Sequence, residues 1–246
     1  MNYEIKEKYL NELKKELSLI HDQPPFGTAP FEWLEWVCKK SNNSMFQKSL
    51  SVLSKEAVCR EDIYKMVLNN RVDTISCVTT ILAWGGMRRN NALTALQRIN
   101  FWLPICEEIR SGKLSRKEAY KKLITVRNQN QMIGMGPAFF TKLIFFLMHT
   151  QKNQGYIMDQ WTGASVNLLA DHEIVILKKN KKKETYDESV NDKNSEEDYE
   201  NFCCFIEQIA EELNENPVKI ELAMFSNGGK LKGGWRKFVI GFRKLI

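Results

Sequence analysis

Apolar residues recur along this chain at helical spacing nearly throughout. In the first segment, Leu10, Leu13 and Leu17 are three or four positions apart, so they share one face of a helix. We also expect a bend or break near Pro104, because proline lacks the N–H that a helix interior needs. The pattern therefore predicts an all-α protein. The predicted helices cover residues 3–19, 31–40, 45–53, 61–68, 74–84, 90–109, 115–126, 137–150, 160–169, 199–213 and 217–225.

Residues 171–197 depart from this pattern, since they contain few large apolar side chains. A lysine-rich run at 178–183 is followed by mixed charge with Asn, Asp and Ser. This composition predicts a mobile surface connection with one short strand at residues 174–177. The lysines could contact phosphates, although a solvated loop is the better explanation of their composition.

No export or membrane signal is visible in the 246 residues. The longest unbroken apolar run, Leu143 to Met148, is too short to span a bilayer, and the charged first residues lack the apolar core of a signal peptide. The six cysteines show no C-x-x-C spacing or zinc pattern. We therefore expect a cytoplasmic protein with reduced, mostly buried thiols, without a metal site or contact with a membrane.

The net charge of +6 is unevenly distributed along the chain. Residues 1–87 carry 11 basic and 11 acidic side chains, whereas residues 88–170 carry 12 basic and 4 acidic ones. Residues 171–229 carry 7 basic and 15 acidic side chains, and residues 230–246 carry 6 basic and none acidic. The basic middle and tail favour an anionic partner, first of all nucleic acid. Solvated charged faces are the alternative explanation.

The segment from Met132 to Lys142 has the features of a turn between two helices. A helix ends before Ile133, a Gly134-x-Gly136 turn follows, and Pro137 is suited to the first position of the next helix. Glycines let an anion approach the exposed backbone N–H groups of Ile133, Gly134, Met135, Gly136 and Ala138, and the next helix directs its positive end there. Such a turn can bind a DNA phosphate without reading sequence. A simple tight turn is the alternative, but the preceding basic helix favours binding.

Two elements carry a resemblance to a known family. Gly134-Met-Gly136-Pro-Ala-Phe-Phe-Thr-Lys142 and Ile157-Met-Asp159 resemble the helix-hairpin-helix DNA glycosylase superfamily, most closely its bacterial 8-oxoguanine DNA glycosylase-like (OGG-fold) branch. The similarity is strongest over residues 132–169 and weaker over 74–91 and 199–225. It implies a two-lobed all-α fold with the active cleft between the lobes. In that superfamily the hairpin grips the DNA backbone and an aspartate follows at the start of a later helix.

The resemblance implies that Asp159 is catalytic. Its carboxylate would lie near C1′ of a flipped nucleotide, where it would stabilise the cationic sugar or activate the attacking water. The alternative is that Asp159 only caps the helix that follows it. The two interpretations are compatible, because both place a carboxylate at the helix start.

The second catalytic residue is where this chain departs from the family pattern. Family members with lyase activity carry a lysine nucleophile two residues after the second hairpin glycine, and here that residue is Ala138. Lys142 follows one helical turn later, about 6 Å along the same face. Apolar neighbours would favour the neutral, nucleophilic amine. Alternatively, Lys142 extends to solvent from an exposed stripe with Thr141, Phe145 and His149.

Aromatic and basic residues supply further candidates. A flipped base needs a flat apolar pocket, and the gap in the duplex needs a wedge. We expect the wedge from the turn after the helix at 74–84, phosphate contacts from the adjacent arginines, and the pocket from the residues after Asp159. For each aromatic residue, burial in the core is the alternative. The candidates are Trp84 and Met87 as wedge, Arg88 and Arg89 on phosphates, and Gln160 and Trp161 in the pocket.

We therefore expect a monomeric DNA N-glycosylase that needs no cofactor. It would excise a damaged or modified purine, such as 8-oxoguanine, from double-stranded DNA, with lyase activity if Lys142 is the nucleophile. The expected division is N-terminal helices of the first lobe at 1–73, a helical barrel lobe at 74–150 that ends in the hairpin, and 151–246 completing the first lobe. The basic tail after Gly229 is either a phosphate-binding flap or a soluble end.

A different class of function stays open at this point. Because Ala138 replaces the family lysine, the chain could be a DNA-binding or nucleotide-sensing module without catalysis. Related proteins also occur in bacterial antiphage operons, so an effector acting on phage DNA, RNA or a free nucleotide is a further alternative.

Overall fold

The computed structural model describes residues 3–19, 25, 27–41, 46–148, 154–179, 188–225 and 233–243. It is mostly helical, which confirms the all-α prediction. The chain divides into two compact units, one formed by residues 23–155 and the other by residues 1–22 together with 156–246. This division differs from the expected boundary at residue 73. The helices between residues 30 and 68 pack against those at 74–96 and 137–147, so they complete the unit that contains the hairpin.

The unit of residues 23–155 is a bundle around two strongly apolar helices, Thr74–Trp84 and Pro137–Leu147. Both are buried over most of their length, and they pack against each other. The helices of this unit are α2 (Pro30–Ser41), α3 (Gln47–Leu50), α4 (Arg60–Leu68), α5 (Thr74–Trp84), α6 (Arg89–Leu96), α7 (Ile99–Arg110), α8 (Arg116–Asn128) and α9 (Pro137–Leu147).

The other unit combines both ends of the chain around the helix that follows Asp159. Its core side chains come from the N-terminal helix, the long acidic helix and the last helix, with Leu13, Phe205 and Trp235 almost fully buried. Its elements are α1 (Glu7–Leu17), α10 (Gln160–Ala170), β1 (Leu177–Lys179), β2 (Glu188–Val190), α11 (Glu196–Leu213), α12 (Pro217–Met224) and α13 (Gly234–Arg243).

The helix predicted over residues 90–109 is interrupted, but not at Pro104. The break lies between α6 and α7, and α7 continues through Pro104. Proline leaves the carbonyl of Asn100 without its helical donor, and Asn100 is exposed, so water can satisfy that oxygen. Across the break, the indole N–H of Trp102 in α7 donates to the Ala95 carbonyl in α6.

The strand predicted at 174–177 is displaced along the chain. Ile174 and Val175 donate their backbone N–H groups to the side-chain oxygen of Asn167, so a side chain from α10 takes the place of a strand partner. The strand itself is β1, which pairs antiparallel with β2. Lys178 and Lys179 are exposed on β1, and the rest of the lysine run lies outside the described residues.

Candidate active site

The predicted turn between two helices is present, with its boundaries close to those expected. Helix α8 ends at Asn128, α9 begins with Pro137 at its first position, and residues 129–136 connect them. Gly134 has a φ of +87°, and a Cβ there would come within 2.7 Å of the Asn91 carbonyl oxygen. Both the backbone conformation and the close approach to α6 therefore require glycine at this position.

The start of α9 has no capping side chain. Gly136 is the N-cap residue and offers no side-chain acceptor to the first turn. The backbone N–H groups of Ile133, Gly134, Gly136 and Ala138 have no backbone acceptor among the described residues. Met135 is the exception, since its N–H donates to the Met132 carbonyl and its side chain is buried. The turn thus presents donors at the positive end of a helix.

Lys142 is buried, with 5% of its surface exposed. Its side chain extends toward the N-terminal end of α9, as helical side chains do, and its amine donates to the Ala138 carbonyl. The amine also lies 5.2 Å from the centre of the Phe139 ring. The alternative, in which Lys142 extends to solvent from an exposed stripe, is wrong, because Thr141 and Phe145 of that stripe are fully buried as well. His149, its remaining member, lies outside the described residues.

A glycine on α5 makes room for this lysine. Gly85 caps the end of α5 with an ordinary helical φ of −65°, so its backbone would accept any residue. A Cβ at Gly85, however, would lie 2.8 Å from Cδ of Lys142 and 3.3 Å from its Cε. The missing side chain at Gly85 is therefore what allows the stem of Lys142 to take this path.

Asp159 caps α10, as the sequence predicted. Its Oδ1 accepts from the backbone N–H of Trp161 at 2.7 Å and of Thr162 at 3.1 Å. In return, the Thr162 hydroxyl oxygen accepts from the Asp159 N–H at 2.9 Å, which closes a capping box. The side chain is 8% exposed, so the carboxylate is held in one orientation near the surface of its unit.

Gln160 and Trp161 are partly exposed beside that carboxylate. With its amide oriented to satisfy both neighbours, Gln160 donates to the backbone oxygen of Glu188 on β2 and accepts from the Trp161 indole N–H at 3.1 Å. One face of the Trp161 ring is covered by the Arg236 guanidinium, 4.3 Å from the ring centre. The indole is therefore held both at its edge and on one face.

Arg236 is a residue that the sequence interpretation left in an undefined tail. It is 7% exposed, and its Nη2 donates to the Phe225 carbonyl at 3.1 Å. Burial lowers the pKa of its guanidinium from the ordinary value, while the nearby Asp159 carboxylate opposes that shift. The described part of the tail is the packed helix α13, neither a flap nor a soluble end. Its helical spacing of Trp235, Phe238 and Val239 was the available signal. Lys230 and Lys232 lie outside the described residues.

The two wedge candidates are buried in the core. Trp84 is fully buried, with its ring edge-on to Phe146, and Met87 is 3% exposed. Burial in the core, the alternative to a wedge, therefore describes both side chains, since a side chain that enters DNA must reach solvent. Arg88 and Arg89 are exposed at the start of α6, with Arg89 over the Trp36 ring at 5.9 Å.

The basic helix α8 is only partly available to a ligand. Arg116 is buried and donates to the Gln154 carbonyl, and Arg127 donates to the Met132 carbonyl and so supports the turn. Lys122 pairs with Glu108 at 2.6 Å. Lys121 is exposed on this helix. Two basic side chains of this helix thus have a structural role in their own unit.

The described residues contain no group of three or more His, Cys, Asp and Glu side chains that could hold a metal ion. All six cysteines are free, and burial raises the pKa of the Cys77 thiol to about 11. Within the same residues, no helix is long and apolar enough to cross a membrane.

Comparison with known proteins then identifies the family. A family model described as "Putative 8-oxoguanine DNA glycosylase OGG-like protein" matches residues 21–225, which is most of the chain. The chain belongs to this family. Its matched range includes the turn at 129–136, Lys142 and Asp159, and it ends before α13. No curated protein and no solved structure matches the chain.

Proposed function

We propose that this OGG-like family member is a DNA N-glycosylase that uses Asp159 and Lys142 to release a damaged or modified purine from double-stranded DNA. The observation that carries the proposal is the path of Lys142. Its amine lies at the carbonyl of Ala138, the position at which the resemblance expects the nucleophilic lysine. A side chain from one turn later thus delivers an amine to the same end of the helix.

The location of this amine suits a nucleophile. Lys142 is buried beside Phe139, so its amine is held in one place and shielded from bulk water, as a nucleophile that must attack one carbon requires. In the reaction, the neutral amine attacks C1′ and the bond from C1′ to the base breaks. Its electron pair leaves with the base, which takes up the proton that the new C1′–nitrogen group releases. The C1′–O4′ bond then breaks, O4′ takes its electron pair and a proton from water, and the protonated imine between C1′ and Nζ that results is reduced by borohydride to a stable amine.

Asp159 supplies the negative charge that this chemistry needs. The carboxylate is fixed by two backbone N–H groups and a buried threonine, so it needs no reorganisation when positive charge develops on the sugar. The uncapped turn at residues 133–138 would hold a phosphate of the same DNA through its backbone N–H groups. Exposed Arg88 and Arg89 would add contacts to the DNA backbone.

Borohydride trapping on a panel of duplexes tests the proposal. Duplexes with 8-oxoguanine, other modified purines or no modification are incubated with the protein, and base release is measured by alkaline strand cleavage. We expect release from at least one modified duplex, together with a trapped adduct. Lys142→Met, which keeps the apolar stem, should abolish the adduct, whereas Lys65→Met on the exposed face of α4 should not.

The outcomes separate the competing functions. Base release without an adduct would restrict the protein to a water mechanism at Asp159. Duplex binding without release from any member of the panel would contradict a glycosylase and favour the non-catalytic DNA-binding alternative. Single-stranded RNA and free nucleotides are tested as separate substrates, and base release from these but from no duplex would favour the effector in antiphage defence.

A further inference from the structure

Helix α13 lies beyond the family-matched range, yet its Arg236 covers the ring of Trp161, two residues after Asp159. The matched residues end at 225, and α13 begins at Gly234. Arg236, in the first turn of α13, is the residue whose charge interacts with Asp159 and whose guanidinium covers Trp161. This chain therefore adds a cation to the candidate site from a segment outside the family match.

The first turn of α13 is fixed by contacts on both sides. The Trp235 indole N–H donates to the Ser165 hydroxyl on α10 at 2.8 Å, and the Trp235 backbone N–H donates to the Glu16 carboxylate on α1 at 3.1 Å. Trp235 is 2% exposed, and a Cβ at Gly234 would come within 2.9 Å of Glu16. Because α13 is bonded directly to α10, the position of Arg236 is coupled to the helix that Asp159 caps.

Trp161 connects the arginine to the carboxylate. Its backbone N–H donates to Asp159, while its ring carries the guanidinium on one face. A cation stacked on an indole is attracted by the electron-rich face of the ring, and more strongly where water is excluded. Displacing the guanidinium would remove the contact on one face of the ring, in the same residue whose backbone N–H orients the Asp159 carboxylate.

We propose that Arg236 is a positioning residue for the glycosylase reaction, which fixes the Trp161 ring at the start of the helix that Asp159 caps and makes α13 a required part of the active site. This inference rests on the proposed function. Arg236 acts through Trp161 and Asp159 rather than on the DNA, so it should affect the rate of base release more than duplex affinity.

Arginine variants of the full chain test this role. Arg236→Met removes the charge but keeps an apolar stem, Arg236→Lys keeps the charge, and Lys14→Met removes one exposed charge from α1 as a matched control. At saturating duplex we expect Arg236→Met to slow base release about tenfold, as displacement of a reacting group does, with the duplex Kd changed less than about threefold. Arg236→Lys should recover most of the rate through its positive charge, and Lys14→Met should match the unmodified chain.

Fluorine NMR of protein labelled with 5-fluorotryptophan gives a readout that needs no substrate. The Trp161 resonance is assigned with Trp161→Phe, and we expect it to move in Arg236→Met and to stay in place in Lys14→Met. Circular dichroism checks that each variant is folded.

Opposite results overturn the two proposals separately. Base release by Arg236→Met at the rate of the unmodified chain, or an unmoved Trp161 resonance, contradicts the role of Arg236 alone. Equal losses of rate and duplex affinity in Arg236→Met and Arg236→Lys also contradict it, because they indicate a purely structural role. Absence of base release in the unmodified chain contradicts the proposed function itself.

Discussion

The helices α9 and α10 begin in opposite ways. Helix α10 begins with Asp159, which satisfies its first N–H groups in a closed capping box. Helix α9 begins with Gly136 and Pro137, without a capping side chain. A capped helix start fixes its own carboxylate, whereas an uncapped one keeps its donors for an external anion. The same backbone feature thus fixes a carboxylate in one unit and leaves uncapped donors in the other, and this difference is what the proposed catalytic and phosphate-binding roles require.

Replacing the capping carboxylate by an amide gives the largest expected effect. Asp159→Asn keeps a side-chain acceptor for the N–H groups of Trp161 and Thr162 but removes the charge. We expect base release to slow by about 10²–10³-fold, as for loss of one preorganised electrostatic group. The melting temperature should change little. A rate close to that of the unmodified protein would assign Asp159 to capping alone.

The turn before the uncapped helix α9 is tested by adding one methyl group at Gly134. Gly134→Ala meets both a positive φ and the Asn91 carbonyl, whereas Gly86→Ala meets a positive φ of +70° in open space. The left-handed backbone alone should lower the free energy of unfolding by about 1 kcal/mol in each variant, and we expect Gly134→Ala to lower it by about 2 kcal/mol in total. Denaturant unfolding measures the difference in stability between the two variants. Duplex affinity should fall in Gly134→Ala alone, and equal losses in both variants would contradict a role for the turn in binding.

Gly85→Ala tests the path of Lys142 without altering the lysine. The new Cβ would lie 2.8 Å from Cδ of Lys142, so the flexible side chain must move away from Ala138. We expect about tenfold less borohydride adduct, because a displaced nucleophile reacts slowly, with little loss of stability. Gly241→Ala, which adds a methyl group in open space on α13, is the control. Unchanged trapping would show that the amine can react from another path.

The smallest effect concerns the exposed arginines at the start of α6. If Arg88 and Arg89 contact phosphates, replacing either by alanine should weaken duplex binding a few-fold and reduce the slope of log K against log salt by about one. Arg71→Ala, an exposed arginine before α5, should leave the slope unchanged. Fluorescence anisotropy of labelled duplex at several salt concentrations measures this slope. Equal slopes for all three variants would limit the phosphate contacts to the backbone of the turn.

Elements defined by neighbouring residues were predicted well. The start of α9 follows from Gly134, Gly136 and Pro137, because backbone φ and the missing proline N–H act on the nearest residues. Ser115 and Glu118 likewise predict the capping box that opens α8. The predicted break near Pro104 was wrong, because the exposed Asn100 carbonyl tolerates proline. The break lies earlier, where the Trp102 indole donates back to the carbonyl of Ala95.

Side-chain environments were predicted less well. Helical spacing does not reveal which aromatic residues are buried. Trp84 as a wedge and Trp161 in the base pocket therefore had the same support from the sequence, until the structure placed Trp84 in a core. Whether Lys142 lies on an exposed stripe or among apolar neighbours stayed open, and the space left by Gly85 accommodates the stem of the buried lysine. Both outcomes depend on residues distant in sequence.

The sequence by itself determined the helical fold, the family, the turn before α9 and the capping position of Asp159, because each depends on local spacing and backbone chemistry. Only the tertiary structure decided that Lys142 returns to Ala138 and that Arg236 from the last helix covers Trp161 beside Asp159. These arrangements arise from packing between helices that are far apart in the chain. A local pattern carries no information about which distant side chain will fill the space beside it.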